Sequence, residues 1–332
     1  MMRRLSIICA FNFILIFLVT CKNSTESEEP EKINTDHSTM YVKGRYLYNS
    51  YGDTVILRGV NRMVYYMDTE GTESYPEIEK CGANVVRIFW FARDDKTVNQ
   101  LDHTIYNCKN NKMIPMIECH DATGQWKNLW NCVNYWIRKD VRAVIKKHER
   151  YLLLNIANEA GDNSVTTEQF RNEYKTIVDT MRAAGINIPL IIDAANWGRG
   201  EQYLLENAEY LLAQDPKHNL LFSWHIWDAN IQEQRIKNTI DSAIGMNIPF
   251  IVGEFGPNER DFGPIPWRYI IRYCYETDTG WLAWSWGPGN SDSRLDMTRD
   301  GTFSSLINPW GLETAVTSPY SIQNTAKRPE RF

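Results

Sequence analysis

Gly82-Ala83-Asn84-Val85-Val86, Gly185-Ile186-Asn187-Ile188-Pro189 and Gly245-Met246-Asn247-Ile248-Pro249 are three statements of one phrase, and Asn110-Asn111-Lys112-Met113-Ile114-Pro115 is a fainter fourth. Glycine or asparagine adopts the left-handed conformation that stops a helix, and proline is tolerated where a strand begins. Each copy follows a helical pattern and precedes a short apolar run, so each marks a helix-to-strand junction. The helices are legible from spacing. Val133, Trp136, Ile137, Val141, Val144 and Ile145 fall on one helical face; Val98, Leu101 and Ile105 mark another helix, and Ile236, Ile240 and Ile244 a third. Thr166 with Gln169 predicts a capping box ahead of Phe170, Tyr174, Ile177, Val178 and Met181, with Gly185 closing that helix.

Outward from these junctions, candidate strands begin near Thr54, Asn84, Met113, Tyr151, Leu190, Leu220, Phe250 and Trp281, with start-to-start gaps of 30, 29, 38, 39, 30, 30 and 31 residues. Short apolar strands alternating with helices imply a parallel sheet buried on both faces. Eight such units predict an α/β fold, a single closed (β/α)8 TIM barrel, in preference to an open doubly wound sheet. No GxGxxG or GxxxxGK follows any strand, which removes the usual nucleotide-binding reason for an open sheet. A short hairpin over Tyr41 to Tyr51, with Gly44 and Gly52 as turn residues, opens the barrel domain, which runs from 40 to 332.

What precedes the hairpin reads as an address. Arg3 and Arg4 lead an apolar run from Leu5 to Val19, short for a membrane span and shaped like an export signal over residues 1–20. Leu18-Val19-Thr20-Cys21 resembles a bacterial lipobox, in which Cys21 is lipidated, although Thr20 departs from the usual small residue before the cysteine. Residues 21–39 are polar and acidic (Glu26, Glu28, Glu29, Glu31) and read as a flexible tether. The expectation is an exported chain anchored at the periplasmic or cell surface through Cys21, with ordinary secretion as the alternative. Cys81, Cys108, Cys119, Cys132 and Cys274 remain for the domain; five is odd, so at least one thiol stays unpaired even if one or two disulfides form, and Cys119 in an apolar strand reads as a buried free thiol.

Acidic residues outnumber basic ones, 41 to 36, for a formal charge of −5, which argues against a nucleic-acid partner. Twelve Trp and 17 Tyr suit a cleft that stacks sugars, although indoles also serve any core. No HExxH or comparable ligand spacing occurs, so neither metal nor cofactor is expected, and Asp292, Asp296 and Asp300 read as a solvated rim rather than a calcium loop. The chain is expected to act as a monomer, touching membrane only through its anchor.

A barrel of this kind places its active site at the carboxyl ends of its strands. Those ends carry Asn61, Arg87, Glu118 with His120, Asn158 with Glu159, Asp193 with Asn196 and Trp197, His225 with Trp227, Glu254, and Trp284. Glycoside hydrolysis needs two carboxyl groups flanking the scissile bond, about 5 to 5.5 Å apart in retaining enzymes. Glu159 and Glu254 follow strands four and seven and face each other across the mouth, with Arg87 expected to keep one ionised and burial to raise the other. Glu118 and Asp193 are the rival carboxylates, Glu118 better placed to orient neighbours.

Asn158-Glu159, Gly253-Glu254-Phe255-Gly256, Arg87, His120, His225 and Trp284 together resemble glycoside hydrolase family 5. Glu118 to Gly124, Asp193 to Gly198 and Leu282 to Trp286 are similar to its bacterial endo-β-1,4-mannanases. The resemblance spans roughly Val55 to Gly311. It implies a retaining enzyme acting on a β-linked polysaccharide, with Glu159 as acid and base and Glu254 as nucleophile. It also implies Asn158 on the sugar 2-hydroxyl, Arg87 holding Glu254 ionised, His120 and His225 lining the cleaved-side sugar, Trp284 as the stacking platform, and Trp197 and Trp227 in the substrate-binding set. Trp126 and Trp130 fit an outer aromatic wall and ordinary helix packing equally.

Two positions depart from the family. Trp227 stands where a tyrosine usually hydrogen-bonds the nucleophile, and Ala160 where a proline usually follows the Asn-Glu pair. The competing readings are the same chemistry on a β-glucan, and a carbohydrate-binding surface lipoprotein with weak turnover.

Overall fold

The computed structural model describes residues 37–228, 230–257 and 263–331. The export signal, Cys21 and most of the tether lie outside the described residues.

Eight parallel strands close a barrel in chain order: β1 (Arg58–Arg62), β2 (Val85–Trp90), β3 (Ile114–Cys119), β4 (Leu153–Asn155), β5 (Leu190–Asp193), β6 (Leu220–Ile226), β7 (Phe250–Phe255) and β8 (Gly280–Ala283), which returns to β1. The first strand starts at Arg58, not near Thr54. Thr54–Val55 belongs instead to an antiparallel sheet with Tyr41–Lys43 and Tyr46–Tyr48, because Val55, Leu47 and Met40 bury their side chains against the inside of the barrel.

Side chains alternate across a strand, and here the alternation separates two cores. Val86, Ile88, Ile117, Leu154, Ile192, Phe222, Val252 and Ala283 pack outward against the helices. Val85, Ile114, Met116, Leu153, Ile191, Leu221, Ile251 and Leu282 pack together inside. That inner layer sits at the amino-terminal ends of the strands and leaves the carboxyl ends free for other side chains.

The junction phrase works through one left-handed residue per copy, though not always its glycine. Gly82 and Gly185 have φ of 83° and 86°; in the third copy Asn247 takes that role (φ 55°), and in the fourth Lys112 does (φ 59°). Thr166 and Gln169 form the reciprocal capping box of helix Thr167–Ala183. The face from Val133 to Ile145 is divided between helices Leu129–Trp136 and Lys139–Lys147, with Arg138 extended between them. The break is so short that the buried stripe continues across it, which is why spacing alone reads one helix. All five domain cysteines are buried free thiols.

Candidate active site

Two or four residues beyond the inner apolar layer, the same inward columns turn polar. Val85 leads to Arg87, Met116 to Glu118, Leu153 to Asn155, Ile191 to Asp193, and Leu221 through Ser223 to His225, while Leu282 leads to Trp284. β7 breaks the alternation. Counting by two from Ile251 reaches Gly253, yet the pairing with β6 shifts between Val252 and Glu254, so that Glu254 lies opposite His225. Such irregularities re-aim side chains beside reactive groups. Gly253 is required for the close approach: a Cβ there would sit 2.1 Å from Ser223 Oγ and 2.8 Å from His225 Nε2.

Arg87 is the hub of this layer and is 1% exposed. One guanidinium nitrogen donates to Glu254 Oε1 at 2.7 Å and Asn61 Oδ1 at 3.1 Å; the other donates to Asn158 Oδ1 at 2.6 Å, Asn155 Oδ1 at 2.7 Å and Asp193 Oδ2 at 3.2 Å. Glu118 Oε1 lies 3.7 Å from Arg87 and 2.9 Å from His120 Nδ1, so it holds two neighbours. Glu254 receives a second donor, the indole nitrogen of Trp227, at 3.1 Å from Oε2. Glu159 sits just past β4 with φ of 44°, a strained conformation for a side-chain-bearing residue, and its backbone N–H is tied to Asp193 Oδ2 at 3.1 Å. Its Oε1 is 2.8 Å from His225 Nδ1, which in turn lies 3.5 Å from Glu254 Oε2.

The electrostatics follow from burial and crowding. Burial pushes His225 down, but Glu254, Asp193 and Glu159 more than offset it and raise the imidazole to about 10. Burial pushes Asp193 up, yet His225 and Arg87 bring it down to about 2. For Glu254 burial wins: the carboxyl rises to about 7, with His225 and Arg87 pulling against burial and Glu159 adding to it. The expectation that Arg87 and burial act on different carboxyls is therefore corrected, since both act on Glu254. Arg87, Trp227 and His225 are the donors and cations that hold the rise to that value against burial.

Above this layer lies a cleft of about 410 Å³ lined by His120, Asn158, Glu159, Trp197, Arg199, Trp227, Glu254, Trp284 and Leu295. All the expected site residues except Cys21 are thus gathered at one mouth, in two tiers. Arg87 and His225 lie beneath the cleft rather than on its wall, and His225 is fully buried between its carboxylate neighbours. Trp126 and Trp130 are helix packing: Trp126 stacks on Phe170 at 6.2 Å, and Trp130 donates to Glu173. Asp296 is buried, not solvated, because it serves as acceptor for Asn290. Arg199, Leu295 and Asn290 carry no signal in the sequence, whereas Asn155 stands at the polar end of the β4 run.

One ligand-type atom from each of Glu159, Glu254 and His225 falls within 4.8 Å of the others. An oxygen of each carboxyl thus approaches the other as closely as the short separation of a retaining pair calls for.

Comparison with known proteins agrees with this geometry. Residues 48–290 match the cellulase family, glycosyl hydrolase family 5. A mannan endo-1,4-beta-mannosidase of Salipaludibacillus agaradhaerens is 34% identical over 303 residues, covering 86% of this chain and 94% of that protein. Another of that name, from Cellvibrio japonicus, is 29% identical over 88% of this chain and 69% of its own length. The β-mannanase from Thermomonospora fusca superposes with a TM-score of 0.81 at 30% identity, covering 87% of this chain and 98% of that one. With the family match spanning most of the barrel and both glutamates at its mouth, the chain belongs to glycosyl hydrolase family 5.

Proposed function

We propose that this chain is a retaining endo-acting β-1,4-mannanase, and that Glu254 and Glu159 divide the chemistry by their surroundings. The observation that carries the reading is the asymmetry of donors. Glu254 faces Arg87 at 2.7 Å and Trp227 at 3.1 Å, which favours its carboxylate, whereas Glu159 has His225 as its side-chain partner and stands at the cleft wall.

A Glu254 oxygen attacks the anomeric carbon while Glu159 gives its proton to the departing glycosidic oxygen. The product of this step is a glycosyl ester on Glu254. Glu159, now a base, takes a proton from water as that water attacks the same carbon, and Glu254 is released with the original stereochemistry. Asn158 is held by Arg87 and donates from its amide to Thr123 Oγ1 at 2.9 Å, which fixes it toward the sugar 2-hydroxyl. Trp284, with His120 stacked 6.1 Å away, supplies an apolar platform for the ring. Trp197 and Arg199 add to the cleft wall on which Glu159 also stands.

The preference for mannan over glucan rests on the mannan-named relatives, since the catalytic layer alone does not read the configuration at the 2-position. Product analysis of the purified domain on mannan, glucomannan and cellulose side by side tests it. Short manno-oligosaccharides from internal cuts are expected, and preferential release of cello-oligosaccharides would transfer the enzyme to the glucanase reading. Export and anchoring through Cys21 are part of the same proposal, supported by the apolar run before the cysteine and the acidic stretch after it.

A further inference from the structure

The Trp284 indole nitrogen hydrogen-bonds no group of the catalytic layer. It donates to Asn290 Oδ1 at 2.7 Å, in the loop that follows β8. The Asn290 amide nitrogen donates in turn to Asp296 Oδ1 at 2.6 Å and to Ser285 Oγ at 2.9 Å, and the Asn290 backbone N–H reaches the same Asp296 oxygen at 3.3 Å. Asp296 is 5% exposed, and Gly287 packs so tightly on it that a Cβ there would lie 2.7 Å from the Asp296 Cβ. Arg62, from the end of β1, donates to the Gly287 carbonyl at 2.5 Å and closes the loop from the other side.

The order of donors is dictated by chemistry. An indole only donates and a carboxylate only accepts, so the group between them has to accept on one side and donate on the other. A primary amide does both. We propose that Asn290 is a positioning residue for the substrate: clamped by Asp296, it sets the tilt of the Trp284 indole against the sugar ring at the scissile bond. The inference rests on the reading of Trp284 as the platform of a β-mannanase. Because the ring flattens toward an oxocarbenium-like transition state, the tilt bears on kcat more than on KM.

The test exchanges the two groups. Asn290→Asp keeps an acceptor for the indole but sets two carboxylates against each other; kcat on mannohexaose should fall about tenfold with KM within about threefold. Combining Asn290→Asp with Asp296→Asn restores a donor facing a carboxylate and should bring kcat back to within about threefold of the unmodified enzyme. A second cycle separates positioning from mere support. Asn290→Ala should lower kcat about fivefold in the unmodified enzyme and less than about twofold in a Trp284→Phe background, which has no indole N–H to orient. Equal losses in both backgrounds overturn the proposal, as does failure of a folded exchanged pair to recover; if Asn290→Asp does not fold, the alanine cycle decides alone. Lack of mannan hydrolysis by the unmodified chain would strike the parent reading instead.

Discussion

At the scale of single residues, the two glutamates make the most direct predictions. Glu254→Ala should abolish hydrolysis of every substrate while the far-ultraviolet circular dichroism of the fold is kept; near-normal turnover would falsify the nucleophile assignment. Glu159→Ala should hurt natural mannan most and aryl glycosides with acidic leaving groups least, since such groups need little protonation to depart. Trp227 is one of the two positions where the chain departs from its family, and the structure gives the indole the missing phenol's task of donating to Glu254. Removing that donor in Trp227→Phe forfeits a charge-assisted hydrogen bond of roughly 1.5–3 kcal/mol, about one to two decades in kcat/KM. The sign with pH also follows. A nucleophile must act ionised, and the proposed one, Glu254, is raised to about 7, so kcat/KM should climb with pH through that value, and Trp227→Phe should move the climb to higher pH. Trp227→Tyr keeps a donor, but it vacates the space where the indole Cη2 would lie 3.3 Å from a Cβ at Gly256. It should therefore change the ratio of mannan to glucan turnover more than the pH profile, and the reverse pattern would show that charge outweighs shape at this position.

At the scale of elements, the strand ends were legible because each is an apolar run that stops at a polar side chain, and the inward period of two carries Arg87, Glu118 and Asp193 to one layer. β7 was legible only in outcome. Glu254 is at the wrong parity for the interior, and the register shift that corrects it leaves no mark except Gly253. The loop after β8 was illegible: Asp296 reads as a surface acid until Asn290 and Gly287 are folded over it. Helix Thr167–Ala183 shows both cases. Its capping box is plain in Thr166 and Gln169, whereas Arg182 at its other end forms a buried two-pronged pair with Asp215 at 2.9 Å, 33 residues away, that no local pattern announces. Removing one partner of such a pair strands a buried charge. Arg182→Met should thus cost about 3–5 kcal/mol in urea unfolding, against about 1 kcal/mol for Thr166→Ala. A smaller loss at Arg182 would mean that Asp215 finds another donor.

At the scale of the whole molecule, the barrel was readable from the rhythm of about thirty residues per unit, and the one misplaced strand is the one that the small antiparallel sheet takes over. Val55 fits either role by sequence; only the inner core, where it meets Leu47 and Met40, assigns it to the barrel's foot. The Cys21 proposal belongs at this scale as well. Full-length protein should partition with membranes, and Cys21→Ala should release it or block its maturation; a wholly soluble full-length chain with an unmodified amino terminus would remove the anchor and leave the chemistry untouched.

The layer around Arg87 carries a further consequence, for the fold's own survival. Four carboxyl groups, Glu118, Glu159, Asp193 and Glu254, share two cations, Arg87 and His225, in space that the layer beneath fills with aliphatic side chains. Glu254 is held at about 7 against an ordinary 4.5, so the folded chain binds a proton more tightly than the unfolded one, and its share of stability drains away as pH rises through that window. As the proposed nucleophile, Glu254 would be a burden the barrel carries for turnover's sake. Glu254→Gln should then melt higher than the active enzyme at pH 8, with the gap closing at pH 4.5. A lower melting point at pH 8 would show instead that Arg87 depends on this carboxylate more than the crowding costs.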